Sequence, residues 1–134
     1  MACLVRFLIM SLPMLAYRAR PTRKRLLRAA RPILTDPEDR AVRQLGAIYR
    51  NVRLDAGLPR MATEEELRDF SAPVALFASE NDVFFPARSV LPRAREIFPN
   101  LVHAECLEGC RHVPSVPALR QVNESIIAFL AASG

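Results

Sequence analysis

The pattern of apolar positions predicts a helical first half of the chain. Residues 2–17 are apolar apart from Arg6, and they predict a helix that is kinked at Pro13. After a basic stretch, Thr22 is a favourable N-cap for a second, short helix. That helix is expected to end before Pro32, because the residue preceding a proline disfavours the helical conformation.

A third helix has the clearest start signal in the sequence, because Asp36 is a favourable N-cap and Pro37 suits the first helical position. Its predicted inward face carries apolar residues at helical spacing, namely Val42, Leu45, Ile48 and Val52. Thr63 and Glu66 have the spacing of a capping box, which predicts a short fourth helix.

The pattern changes near residue 73, where two short apolar runs predict strands at Val74–Ala78 and Leu101–Leu107. The helix predicted between them, Ala87–Phe98, contains Pro92, which is expected in or near its first turn. Ser115 is expected to cap a last helix, whose expected buried residues are Leu119, Val122, Ile126, Phe129 and Leu130. Because parallel strands need a crossover connection, the second half is predicted to be a β-α-β-α unit with two parallel strands.

Charge divides the 134-residue chain at nearly the same place. Residues 1–60 carry 13 basic and 4 acidic residues, whereas residues 61–134 carry 6 and 10. Pattern and charge together predict a helical region at 1–70 and an α/β region at 71–134. The basic segment Arg18–Arg31 is of a kind that contacts nucleic acid or anionic lipid. It has no interleaved aromatic residues, so a solvated helical face is favoured and no nucleic-acid partner is expected.

Two side chains beyond the predicted strands are suited to acid–base chemistry. Asp82 follows the first strand, and His112 follows the second strand 30 positions later. Since chemistry gathers beyond the carboxyl ends of parallel strands, these two side chains are expected within hydrogen-bond reach. A carboxylate that accepts a histidine Nδ1–H fixes the imidazole tautomer, and histidine transfers protons near neutral pH. Glu80 is an alternative acid, and Asp82 taken alone is also a common turn residue.

The order of these pieces resembles the C-terminal part of the α/β-hydrolases. The matching pieces are Ala72-Pro73, Glu80-Asn81-Asp82 followed by Pro86, Gly109 ahead of His112-Val113-Pro114, and the closing Ile126-Ile127-Ala128-Phe129-Leu130. Residues before Pro73 resemble the end of that family's helical cap. The resemblance implies a partial α/β-hydrolase fold and hydrolysis of carboxylic esters or similar bonds by a Ser-Asp-His triad. It further implies Asp82 as the acid, His112 as the base, a small ester-like substrate and no cofactor.

The family's nucleophile elbow, Gly-x-Ser-x-Gly, does not occur in this sequence. Its glycines are Gly46, Gly57, Gly109 and Gly134, and none brackets a serine in that pattern. Hydrolysis by this chain alone is therefore not expected, and whether it acts as an enzyme is left open. A complementing N-terminal half, or self-association through an unpaired edge of the first strand, is expected instead.

Two non-enzymatic interpretations stay open. One is a basic helical interaction module built on residues 18–31, and the other is a short membrane-anchored protein that uses residues 7–17. The uninterrupted apolar stretch 7–17 is too short to span a bilayer, so a membrane partner is the less favoured interpretation.

Cysteine and histidine positions bear on compartment and on metal binding. Cys3, Cys106 and Cys110 do not form a disulfide framework, which favours a reducing cytoplasm. Together with His112, the residues His103, Cys106 and Cys110 are of types that bind zinc. On an extended strand, however, His103 and Cys106 point to opposite faces, so no metal site is predicted.

Overall fold

A computed structural model describes residues 2–51 and 60–133, with side chains for 11–51 and 60–132. Over these ranges the helices are α1 Ala2–Ala19, α2 Arg23–Ala30, α3 Asp39–Asn51, α4 Glu64–Leu67, α5 Ala87–Ile97 and α6 Val116–Ser133; the strands are β1 Val74–Ser79 and β2 Leu101–Leu107. The predicted α/β class is confirmed. None of the helices in this described part is long and apolar enough to cross a bilayer.

Three predicted N-caps hold their helices as expected. The Thr22 side chain accepts a hydrogen bond from the Arg25 N–H at the start of α2. The Thr63 hydroxyl and the Glu66 carboxylate form a complete capping box at α4. The Ser115 hydroxyl accepts an N–H three residues on, at the start of α6. Each cap satisfies a backbone donor that the first helical turn leaves unpaired.

The predicted start of α3 is wrong by two residues. The Asp36 carbonyl accepts the Glu38 N–H at 2.8 Å, which closes a tight turn. The first helical bond runs from the Val42 N–H to the Glu38 carbonyl, and α3 begins at Asp39. The local turn therefore occupies the residues that the capping signal had assigned to the first helical turn.

The predicted inward face of α3 is confirmed only in part. Val42 is buried and Leu45 is half-buried, but Ile48 is exposed. Val52 lies outside the described residues. Val42 joins a core with buried residues from α1, α2 and the segment that follows α2: Tyr17, Leu26, Ala30, Ile33 and Leu34.

The strands β1 and β2 pair in parallel, as predicted, and form a two-stranded sheet in the described chain. Their register is irregular once, because Val74 faces Leu101 whereas Ala75 faces His103. Helix α5 covers one face of the sheet, where its buried Leu91 packs against Ala78. Because the strands are parallel, their carboxyl ends lie at the same end of the sheet.

The expectation that Pro92 lies in or near the first turn of α5 is wrong. The helix runs from Ala87 to Ile97, so Pro92 is its sixth residue and lies in the second turn. A proline there cannot donate to the carbonyl four residues earlier. Burial of one face of α5 against the sheet, with Leu91, Ala94 and Ile97 all buried, stabilises the helix despite that missing bond.

The expectation that α6 buries its apolar residues is also wrong. Leu119, Ile126 and Leu130 are exposed, while Val122 and Phe129 are half-buried. Polar contacts also attach this helix to the sheet. Gln121 Nε2 donates to Glu105 Oε1 at 2.6 Å, and Ser125 Oγ donates to Glu105 Oε2 at 3.4 Å, so a carboxylate on β2 anchors α6.

Candidate acid–base site

Asp82 lies in the turn that follows β1, and its carboxylate organises that turn. Asp82 Oδ1 accepts the backbone N–H of Phe84 at 2.7 Å and that of Phe85 at 3.1 Å. Only 10% of the Asp82 side chain is exposed. Hydrogen bonds from two backbone N–H groups fix the direction of this carboxylate. The turn preference seen in the sequence and the placement of a fixed carboxylate therefore coexist in this one residue.

His112 lies in the loop that follows β2, and it meets Asp82. Its Nδ1 is 3.0 Å from Asp82 Oδ2, within the predicted hydrogen-bond reach. The Phe84 ring stands nearly edge-on to the imidazole, with ring centroids 5.1 Å apart and an interplanar angle of 82°. The His112 side chain is 40% exposed, so the imidazole is held on one side and open to solvent on another.

The alternative acid, Glu80, bonds to the backbone of the His112 loop. Glu80 Oε2 accepts the Gly109 N–H at 2.8 Å. Gly109 adopts a left-handed conformation with φ of +66°, which glycine tolerates and most residues do not. Glu80 therefore fixes the turn that leads towards His112, and Asp82 is the carboxylate that meets the imidazole.

Thr35 contacts both neighbours of His112, which sequence reasoning missed. Its hydroxyl accepts the Arg111 N–H at 2.8 Å and donates to the Val113 carbonyl at 2.8 Å. The Val113 N–H donates to the Ile33 carbonyl at 2.9 Å, which completes a short parallel bridge. These contacts join residues about 76 to 80 positions apart, so no local pattern in the sequence could reveal them.

Two cysteines and two serines of the described part of the chain have environments that bear on a nucleophile. Desolvation, and then the carboxylates of Glu80 and Glu108, raise the pKa of the Cys106 thiol, which lowers its thiolate fraction at neutral pH. Cys110 is buried, as is Ser79 at the end of β1. The Ser115 hydroxyl caps α6. These environments give none of the four the features of an activated nucleophile.

Two further features surround the pair. An open groove of about 600 Å³ adjoins Asp82, and its lining includes Asn81, Arg88 and Arg111. His103, the second histidine, contacts Glu105 Oε2 through Nε2 at 3.1 Å and lies against Phe77 on β1. Within the described ranges, no three His, Cys, Asp or Glu side chains converge as metal ligands do.

Comparison with known proteins relates this arrangement to esterases. The chain is 34% identical over 76 residues to an uncharacterized carboxylesterase, nap, of Bacillus subtilis (strain 168), a match that covers 57% of this chain and 25% of that protein. It is 27% identical over 74 residues to carboxylesterase YbfK of the same organism, covering 55% and 25%. No protein-family model matches the chain.

The fold comparison covers more of the chain. The crystal structure of naproxen esterase (carboxylesterase NP) from Bacillus subtilis superposes with a TM-score of 0.66 at 25% identity, over 92% of this chain and 45% of that one. The chain thus spans less than half of the solved esterase, and its sequence match spans a quarter of each curated relative. Sequence and fold together relate the chain to the α/β-hydrolases, over part of the length of these carboxylesterases.

Proposed function

We propose that this chain contributes the acid and the base of a Ser-Asp-His triad that hydrolyses carboxylic esters or similar bonds. One observation carries the proposal: His112 Nδ1 lies 3.0 Å from Asp82 Oδ2, beyond the carboxyl ends of two adjacent parallel strands. The relationship to carboxylesterases supports the ester as substrate class. In this proposal, residues 1–70 act as a helical cap and residues 71–134 carry the acid–base pair.

The proposed roles follow from the geometry of the two side chains. Asp82 accepts the Nδ1–H of His112, which leaves the Nε2 lone pair free to take a proton. His112 then removes the proton of a serine hydroxyl as that oxygen attacks the ester carbonyl, and returns it to the departing alkoxide. In the second half of the cycle it removes a proton from the attacking water and returns it to the serine. Asp82 stabilises the imidazolium that forms in each half.

The nucleophile is the part that this sequence does not supply. Because Gly-x-Ser-x-Gly does not occur, we assign the serine to polypeptide outside these 134 residues. The edge of β1 that faces away from β2 has no strand partner in the described chain, and α6, which contacts β1, carries exposed apolar residues. Both features support pairing with a complementing half. Self-association through the same edge is the alternative.

The cytoplasm is the proposed compartment. Cys106 and Cys110 are both free thiols, which supports a reducing environment.

The test is complementation with the naproxen esterase of Bacillus subtilis. This chain is combined with the part of that esterase that it does not match, both as two chains and as one fused chain, and assembly is verified by co-elution. Hydrolysis of p-nitrophenyl butyrate is then measured. We expect turnover that falls at least about a hundredfold in Asp82→Asn and His112→Ala, since a general base contributes about 10²–10⁴.

His103→Ala is the matched control, because His103 lies in β2 and contacts Glu105 rather than Asp82. It should leave turnover within about twofold of the parent assembly. The isolated chain should show no hydrolysis above its own His112→Ala variant. Turnover in the assembly that survives His112→Ala would contradict the proposed role of the pair.

A further inference from the structure

Beyond the two acid–base residues, the Thr35 side chain attaches the loop that carries His112 to the helical half of the chain. Thr35 belongs to the segment between α2 and α3, whereas His112 follows β2. The Thr35 hydroxyl accepts the N–H of Arg111 and donates to the carbonyl of Val113, each at 2.8 Å. One hydroxyl thus uses its acceptor and donor functions on the two residues that flank the histidine.

Backbone bonds reinforce the same connection. The Thr35 N–H also donates to the Val113 carbonyl at 3.0 Å, and the Val113 N–H donates to the Ile33 carbonyl at 2.9 Å. Arg111 adds a side-chain bond to the Arg31 carbonyl. The peptide units on both sides of His112 are thereby fixed to residues 31–35, while the imidazole contacts Asp82 and Phe84.

We infer that Thr35 is a positioning residue for His112, and that it couples the helical half of the chain to the proton-transferring group. This inference rests on the proposed function of Asp82 and His112. The direction of an imidazole depends on its backbone, and the Asp82 carboxylate is itself fixed by the N–H groups of Phe84 and Phe85. Because its own turn fixes the Asp82 carboxylate, the Nδ1 to Oδ2 distance depends on the position of the His112 backbone. Thr35 restrains that backbone through its bonds to Arg111 and Val113.

A displacement of residues 31–35 would therefore change the Nδ1 to Oδ2 distance without touching either residue directly. Any such displacement would reach the His112 backbone through the Thr35 hydroxyl and the backbone bonds beside it. This coupling requires no contact between Thr35 and the reacting atoms.

The experiment compares Thr35→Val, which keeps the shape and removes the hydroxyl, with Thr35→Ser, which restores it. Thr22→Val is the matched control, because the Thr22 hydroxyl caps α2 with no bond to the His112 loop. The whole chain is used, and NMR measures the exchange rate of the His112 Nδ1 proton with water. We expect exchange about thirtyfold faster in Thr35→Val, the factor for two lost hydrogen bonds of about 1 kcal/mol net each, with near-parent rates in Thr35→Ser and Thr22→Val.

An Nδ1 proton whose exchange is unchanged by Thr35→Val would overturn the role of Thr35 and leave the acid–base pair standing. An imidazole that carries no Nδ1 proton in the parent chain would overturn both. If Thr35→Val does not fold, urea below the unfolding midpoint is added to the parent chain. The Arg111 and Val113 amides and the Nδ1 proton should then exchange faster together, and independent acceleration would contradict the coupling.

Discussion

Gly109 lies in the turn from β2 towards His112, and its backbone conformation allows the stability of a Gly109→Ala variant to be predicted. Its φ of +66° lies in the left-handed region, where an L-residue pays about 1–2 kcal/mol. A Cβ added at this position would meet nothing within 4 Å, so Gly109→Ala adds no steric cost. Alanine also reduces the entropy of the unfolded chain, which returns about 0.4–1 kcal/mol. The midpoints of the two ranges leave a net expected loss in the free energy of unfolding of about 0.8 kcal/mol.

Urea denaturation measures this loss, and a thermal melt should show Tm lowered by roughly 2–6 °C for a chain of this size. Gly109→Asn should lose less, because asparagine tolerates the left-handed region. Gly46 supplies the contrast, since a Cβ there would approach Leu26 Cδ2 to 2.9 Å and the Tyr17 hydroxyl to 3.0 Å. Gly46→Asn should therefore destabilise the chain more than Gly46→Ala does, whereas Gly109→Asn should destabilise it less than Gly109→Ala. A Gly109→Ala variant as stable as the parent chain would refute the backbone argument.

Three further predictions test packing, charge and association. Leu91→Ala should lower the free energy of unfolding by about 2–5 kcal/mol because Leu91 is buried under the sheet, whereas Leu119→Ala on the exposed face of α6 should change it by about 0.5 kcal/mol or less; equal losses in urea denaturation would argue against the described burial. The Thr63 N–H, and then Arg60, lower the pKa of Glu66, so its stabilising contribution should be present above the ordinary value of 4.5 and disappear as pH falls through the lowered value. The difference in urea midpoint between the parent and Glu66→Gln should disappear as pH falls below the lowered pKa of Glu66. A difference that grows at low pH would contradict this assignment. Because one edge of β1 is unpaired in the described chain, we expect the chain to bind hydrophobic dyes and to self-associate at micromolar concentrations, which analytical ultracentrifugation would detect. A monomer that melts sharply without dye binding would show that this edge is covered.

Local signals in the sequence predicted the elements whose stabilising contacts are local. Thr22, Thr63 and Ser115 cap helices where the sequence indicated, because a cap acts over three residues. The approach of Asp82 to His112 was also predictable, because the loops that follow two parallel strands lie at the same end of the sheet.

The features that the sequence did not reveal depend on residues far apart in the chain. The apolar stripe of α6 predicted burial, but in the described chain this helix is anchored through Glu105 and leaves Leu119 and Leu130 exposed. Periodicity shows that a helix has an apolar face and says nothing about which partner covers it. The bonds from Thr35 to the residues beside His112 have no local signature for the same reason.

The claim that Asp82 and His112 act as one acid–base unit is tested most directly by the tautomer of the His112 ring. Nitrogen-15 NMR of the whole chain at alkaline pH, where imidazoles are neutral, distinguishes a proton on Nδ1 from one on Nε2. His103→Ala assigns the spectrum, because the sequence has only two histidines. We predict Nδ1–H with a bare Nε2 in the parent chain and a shift to Nε2–H in Asp82→Asn, whose amide donates a hydrogen bond to Nδ1. The same tautomer in both proteins would contradict the claim.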